Sequence, residues 1–344
     1  MGTSVPARAH RRRAAGAVTL VAVLAVVGAA SLAVGARALS PGEVWHGLFG
    51  APGGDQRLSE ITLILQTVRV PRTVLAIAAG AALGVGGALI QGFTRNPIAD
   101  TGLLGVNSGA SFAVVTVIML FGLSNPFQYV WFAFLGAAAA GVVVFGLSSL
   151  GRGGSSPLTL ALTGQGVTVF LAAMTTAIAL SDPASLNALR FWNAGSVAGV
   201  GFDVIWPVTA FIAAGLVLAL TTLPAVNLLN LGEDVARGLG VNARLSRTAG
   251  VVAITVLAGA ATAACGPIAF LGLMVAHVAR YLTGADYRWL VPYAGLLGAV
   301  VLLACDIVGR VVTRPGELQA GVVVALAGAP FFAVLVWRGK FRKT

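Results

Sequence analysis

Apolar runs of about 20 residues recur along the whole chain, and no other feature constrains its fold as strongly. A run of that length is what an α-helix needs to cross a hydrocarbon core of about 30 Å. The alternating short strands of a lipid-facing barrel are absent. Composition agrees. Of 344 residues, 58% are hydrophobic and 10% charged, with mean hydropathy +0.92. A soluble domain carries about 25% charged residues. The expectation is an all-α polytopic membrane protein.

Ten spans are predicted, at residues 15–36, 72–93, 103–122, 128–149, 157–180, 204–224, 248–265, 267–283, 289–309 and 321–337. Only Gly266-Pro267 separates the seventh from the eighth. The resulting organisation is a tail at 1–14, one membrane domain at 15–338 and a tail at 339–344. The first span has a basic start and an Ala36-Arg37-Ala38 end, features shared with a secretory leader. Its apolar stretch is longer than a usual leader core, and retaining it makes the number of spans even.

Charge gives the orientation. With the N-terminus inside, the inner segments hold fifteen basic residues (Arg8, Arg11, Arg12, Arg13, Arg95, Arg152, Arg237, Arg244, Arg247, Arg280, Arg288, Arg338, Lys340, Arg342 and Lys343) and four acids. The outer segments hold seven of each, so the whole net charge of +11 lies on the inner face. The basicity is a topology signal, and nucleic acid is not an expected partner. Both termini are expected in the cytoplasm.

An internal echo runs across the chain. "PIADTGL" at 97–103 joins spans two and three, and "PIAFLGL" at 267–273 joins spans seven and eight. Span parity places the copies on opposite faces. Arg72-Thr73 and Arg247-Thr248 open the spans that precede them. Repeats of opposite orientation are a common build for transporters. Gly80, Gly84, Gly86 and Gly87 crowd the second span, where small residues let helices approach closely.

Chemistry-bearing motifs are absent. There is no G-x-x-x-x-G-K-[ST] phosphate loop, H-E-x-x-H or G-x-S-x-G. Neither a catalytic residue nor a metal site is expected. Cys265 and Cys305 read as small buried side chains. Ion-coupled carriers place ionisable groups deep within spans. Here charges cluster at span ends, with Asp306 the nearest exception. A conduit driven by a partner fits better than the alternative, an ion-coupled secondary transporter without an ATPase.

Three polar segments stand out. "RVPR", residues 69–72, precedes span two on the outer face, where Pro71 restricts the backbone. "NLGEDVARGLGVN", residues 230–242, lies on the inner face. Glu233 and Asp234 favour a helix start, Gly240 can end it, and Val235, Ala236 and Leu239 share a face. A protein partner suits this short helix. The third segment, "DIVGRVVTRPGELQAG" at 306–321, adds Arg310 and Arg314 to the outer rim.

"RVPRTVLAIAAGAALGVGGALIQGFTRNPIADTGLLGVNSGA", "LGEDVARGLGV", "GPIAFLGLMVAHVAR" and "RPGELQAGVVVALAGAPFF" together resemble, in order, the signatures of FecCD-type permeases. Those proteins serve ABC importers of ferric siderophores, haem or cobalamin. The resemblance spans about residues 15–338. It implies a type II ABC importer permease with ten helices and an inverted repeat, in the cytoplasmic (inner) membrane. The implied partners are a second permease subunit, identical or not, two ABC ATPase subunits, an extracytoplasmic substrate-binding protein and membrane lipid. ATP and Mg would sit on the ATPase, with no cofactor on this chain.

The resemblance also implies residue roles. Arg69, Arg72 and Arg310 match outer arginines that meet acidic residues of the binding protein. Gly232, Glu233, Ala236, Leu239 and Gly240 match the helix that couples to the ATPase. Thr163, Gln165 and Thr168 match residues along the translocation path. The family usually has proline where this chain has Thr101, Ala276 and Gln319. These departures bear on the bend of span eight and the start of span ten.

Overall fold

The computed structural model describes residues 4–35, 38–50, 56–123, 126–150, 157–314 and 316–337. Of the charges used for orientation, Arg37, Asp55, Arg152, Arg338, Lys340, Arg342 and Lys343 lie outside the described residues, as does the expected tail at 339–344. The side chain of Arg8 also lies outside them. The described residues form helices joined by short connections.

Ten helices correspond to the predicted spans. They are α1 (Ser4–Ala33), α4 (Val70–Thr94), α5 (Val106–Phe121), α6 (Pro126–Ser149), α7 (Pro157–Ser181), α9 (Phe202–Asn230), α11 (Ala243–Cys265), α12 (Leu271–Thr283), α13 (Tyr287–Val312) and α14 (Ala320–Trp337). Among the described residues, eight helical stretches are long and apolar enough to cross a membrane. At 16 and 13 residues, α5 and α12 are shorter. The residues expected as an N-terminal tail, from Ser4 onward, already belong to α1.

Four further helices lie between the spans: α2 (Pro41–Phe49), α3 (Gln56–Ile64), α8 (Pro183–Asn193) and α10 (Glu233–Gly238). Ser40 starts α2 with a capping box, its hydroxyl accepting from Glu43 N while the Glu43 carboxylate accepts from Ser40 N. Asp182 caps α8 in a similar way, accepting from Ser185 N at 2.8 Å. Hydrogen bonds from the Ser185 hydroxyl and backbone hold the Asp182 carboxyl below its usual pKa.

The "RVPR" segment departs from expectation. It is helical, because α3 runs into α4 through a π-helical turn, Leu65–Arg69. A proline inside a helix removes one donor and crowds the carbonyl four residues earlier. Here the turn before Pro71 takes wider i→i+5 bonds, with Val70 N donating to Leu65 O.

Helix α4 lies at the centre, packed by α9, α11, α12 and α13. Backbone proximity explains its glycines. A Cβ at Gly87 would stand 2.5 Å from the backbone of Gly272 in α12, and one at Gly80 would stand 2.4 Å from Gly298 O in α13. Such contacts suit a membrane interior, where association depends on close packing. By contrast α7 and α14 leave most of their apolar surface uncovered.

The two copies of P-I-A occupy matching positions. Each follows a central helix that ends in a positive-φ residue, Arg95 (φ 50) after α4 and Gly266 (φ 71) after α11. Each leads into a short helix, a 3-10 turn (Thr101–Leu104) followed by α5 in one case and α12 in the other. The helices α4 and α11 pack on each other, and each also packs on the short helix of the other copy.

Candidate functional site

One end of the bundle gathers the C-terminus of α1, the start of α4 and the last turns of α13. Asp306 on α13 is fully buried. Its Oδ1 accepts from Arg72 Nη2 at 2.8 Å, and its Oδ2 lies 2.8 Å from Arg310 Nη2. Arg72 Nη1 also donates to Glu317 Oε2 at 2.6 Å. Arg310 donates to Ser31 O, Val34 O and Ser31 Oγ at 2.7–2.9 Å. Arg69 donates to Leu32 O and Ala33 O, and Arg314 to Gly35 O. A helix C-terminus leaves carbonyls without partners and carries partial negative charge. The arginines satisfy both at the end of α1.

The three arginines expected at the outer rim all take part in this cluster. Arg69, Arg72 and Arg310 are only 5%, 5% and 3% exposed. Within the subunit their guanidiniums face internal acceptors. They tie α1, α4 and α13 together through acceptors within the chain, with Arg310 Nε left buried without a hydrogen-bond partner. Of the acids involved, Glu317 reaches solvent, with 42% of its side chain exposed.

At the opposite end, Gly232 (φ 126) opens α10 with a backbone conformation that suits glycine. Glu233 is held by Arg237 at 2.6 Å and by Arg247 of α11 at 2.7 Å. The hydrogen bond from Arg247 chiefly keeps the Glu233 carboxyl below its usual pKa, against a smaller effect of burial. Gly240 (φ 84) closes the helix, Gly240 N donating to Arg237 O and Val241 N to Ala236 O. The expected shared face divides. Ala236 is fully buried against the body, whereas Leu231, Val235 and Leu239 are 67%, 50% and 61% exposed.

Helix α7 lies backbone-close to the 101–104 turn. A Cβ at Gly164 would fall 1.6 Å from Leu103 O, so glycine is required there. This contact fixes the rotation of α7. Gln165 is exposed together with Leu162, Val169 and Phe170 on the uncovered face. Thr163 is half-buried. Thr168 Oγ1 is buried without a hydrogen-bond partner and lies on the side of Gly105. Of the three expected path residues, the uncovered face therefore presents Gln165, and the Thr168 hydroxyl turns into the subunit.

A profile of the FecCD transport family matches residues 23–338. The chain belongs to the FecCD family. Among its FecCD relatives, the ferric enterobactin transport system permease protein FepD of Escherichia coli is 43% identical, over 93% of this chain and 94% of that protein. The Fe(3+)-citrate import system permease protein YfmD of Bacillus subtilis is 38% identical over 90% of each. The hemin transport system permease protein HmuU of Yersinia pestis is 33% identical over 94% and 96%. In shape, the chain matches an inward-facing conformation of a protein assigned as a metal-chelate type ABC transporter. The TM-score is 0.80 at 27% identity, covering 93% of this chain and 98% of that one. This FecCD member is thus a multi-pass membrane protein with the type II importer permease fold.

Departures from the usual FecCD prolines are accommodated. Helix α12 runs unbroken through Ala276, whose methyl is fully buried. Thr101 begins the 3-10 turn, and Gln319 immediately precedes α14, its carbonyl accepting from Val322 N and Val323 N. In sequence Asp306 stands out only as the charge nearest a span interior, without its pairing to Arg72 and Arg310. The i,i+4 spacing of Asp306 and Arg310 on one helix face was the available signal.

Proposed function

We propose that this chain is the permease subunit of an ABC importer that carries an iron chelate inward, a ferric siderophore before haem or cobalamin. The observation that carries the reading is the family match across nearly the whole chain, with FepD, YfmD and HmuU as relatives. ATP and Mg belong to two partner ATPase subunits, and this chain supplies no catalytic group.

The α10 end faces the cytoplasm, in keeping with the excess of basic residues there. Leu231, Val235 and Leu239 meet the ATPase, while Gly232, Glu233, Ala236 and Gly240 fix the helix that carries them. ATP-driven movement passes through α10 to α11, to which Glu233 ties it. The uncovered face of α7, with Gln165, borders the path and meets a second permease subunit. A binding protein docks at the opposite end. Glu317 is the internal acid its carboxylate would replace on Arg72, since it is the exposed partner of that arginine.

Competition uptake tests the substrate class. Cells dependent on this permease should accumulate a labelled ferric siderophore, and unlabelled ferric siderophore should compete where haem and cobalamin do not. Competition by haem or cobalamin alone would reassign the cargo.

A further inference from the structure

At the α10 end, a cavity of about 460 Å³ opens between the C-terminal ends of α4, α9 and α12 and the start of α13. Arg95 and Arg280 both line it, whereas no carboxylate does. The nearest acid in sequence, Asp286, spends its carboxylate on Asn227 Nδ2 at 2.9 Å and Arg288 N at 3.1 Å, with Arg13 at 3.9 Å. Two guanidiniums therefore share one cavity without an anion among its walls.

Both arginines are held by neighbouring groups, and Arg95 is exposed. Arg280 Nη2 donates to Tyr287 Oη at 3.0 Å, and its guanidinium lies 5.7 Å from the centre of that ring. Its Nε is buried with no hydrogen-bond partner. Arg95 Nη2 donates to Leu229 O. Arg95 adopts a left-handed backbone conformation, shared by Phe270 alone among described non-glycine residues. Strain of this kind collects at ligand sites. Gln91 also lines the cavity, is 2% exposed, and has its Oε1 buried without a partner. An anion with several acceptor oxygens supplies the counter-charge that these walls lack. Guanidiniums bind phosphate through such charge-assisted bonds.

We propose that this cavity is a phosphate-class anion site, filled by a phospholipid headgroup or by a free phosphate. Neither the family reading nor the orientation of the chain is needed for it.

The test uses the full chain in nanodiscs of dioleoylphosphatidylcholine, with and without dioleoylphosphatidylglycerol. Inorganic phosphate binding is followed by calorimetry and lipid retention by native mass spectrometry. Wild type should bind saturably. Retention of phosphatidylglycerol without phosphate binding identifies a lipid as occupant, and phosphate binding without lipid preference identifies a soluble anion. R280Q should weaken binding at least about tenfold, the scale of one charge-assisted bond. L231E places a carboxylate at an exposed position of the lining and should weaken binding without disturbing the fold. R244Q, at an exposed position that does not line the cavity, should leave it unchanged. Absence of binding to both probes, or wild-type binding in both R280Q and L231E, overturns the site.

Discussion

Asp306 and Arg72 lie 234 positions apart in sequence, yet their side chains meet at 2.8 Å with almost no access to solvent. The same carboxylate holds Arg310. Removing one partner of a buried ion pair typically costs about 3–5 kcal/mol, because the remaining charge is left uncompensated. Asp306→Asn should therefore lower the thermal stability of the purified chain in detergent far more than Glu317→Gln. The latter loses a half-exposed partner, worth about 1 kcal/mol or less. Equal losses in a thermal unfolding series would mean that Asp306 does not organise the cluster.

Close helix approach predicts a second contrast. Gly87→Ala places a methyl against the Gly272 backbone and should destabilise by about 1–3 kcal/mol. Gly146→Ala meets nothing within 4 Å and should be neutral, or stabilising by up to about 1 kcal/mol. Urea or thermal denaturation of the two variants side by side checks the sign of each.

The division of α10 into anchor and contact surface yields a third. Leu239→Asp should leave folding intact and cut substrate-stimulated ATPase activity in the reconstituted complex. Ala236→Asp should loosen α10 itself, visible as faster amide exchange across 233–239. If the Leu239 variant retains full stimulation, the exposed apolar residues do not form the ATPase contact.

Glu233 predicts a pH effect confined to one helix. Its folded pKa lies below the ordinary glutamate value of about 4.5. The stabilisation is complete above that unfolded value and is lost as the pH falls through the lower, folded one. Protection of α10 amides should drop on acidification below about pH 4.5. Glu233→Gln should show reduced protection at neutral pH and no such step. A step that survives in the variant would assign the titration elsewhere.

Legibility in the sequence followed the kind of force involved. Long apolar runs announce helices regardless of tertiary context, so the ten spans were readable from residues alone. The α2 start was also written locally, in Ser40-Pro-Gly-Glu43, and that of α8 in Asp182-Pro183. The continuation of helix through Pro71 was not readable, since it depends on a π-helical turn that widens the preceding bonds. The burial of Arg69, Arg72 and Arg310 was hidden because their acceptors come from α1 and from residues 306 and 317. Arginines at a span end look alike whether they face water or a distant carboxylate. Likewise Val235 and Ala236 share a helical face on a wheel, but a six-residue helix lying on the body separates them.

The proposed function is transport of an intact chelate driven by ATP on a partner. Its most direct test is uptake of labelled ferric siderophore into proteoliposomes that contain this chain with its ATPase and second permease subunit. The binding protein is supplied outside, and ATP and Mg are enclosed. Uptake should need both ATP and the binding protein and persist when ionophores abolish all ion gradients. Uptake that proceeds without ATP and collapses with the ion gradient would contradict it.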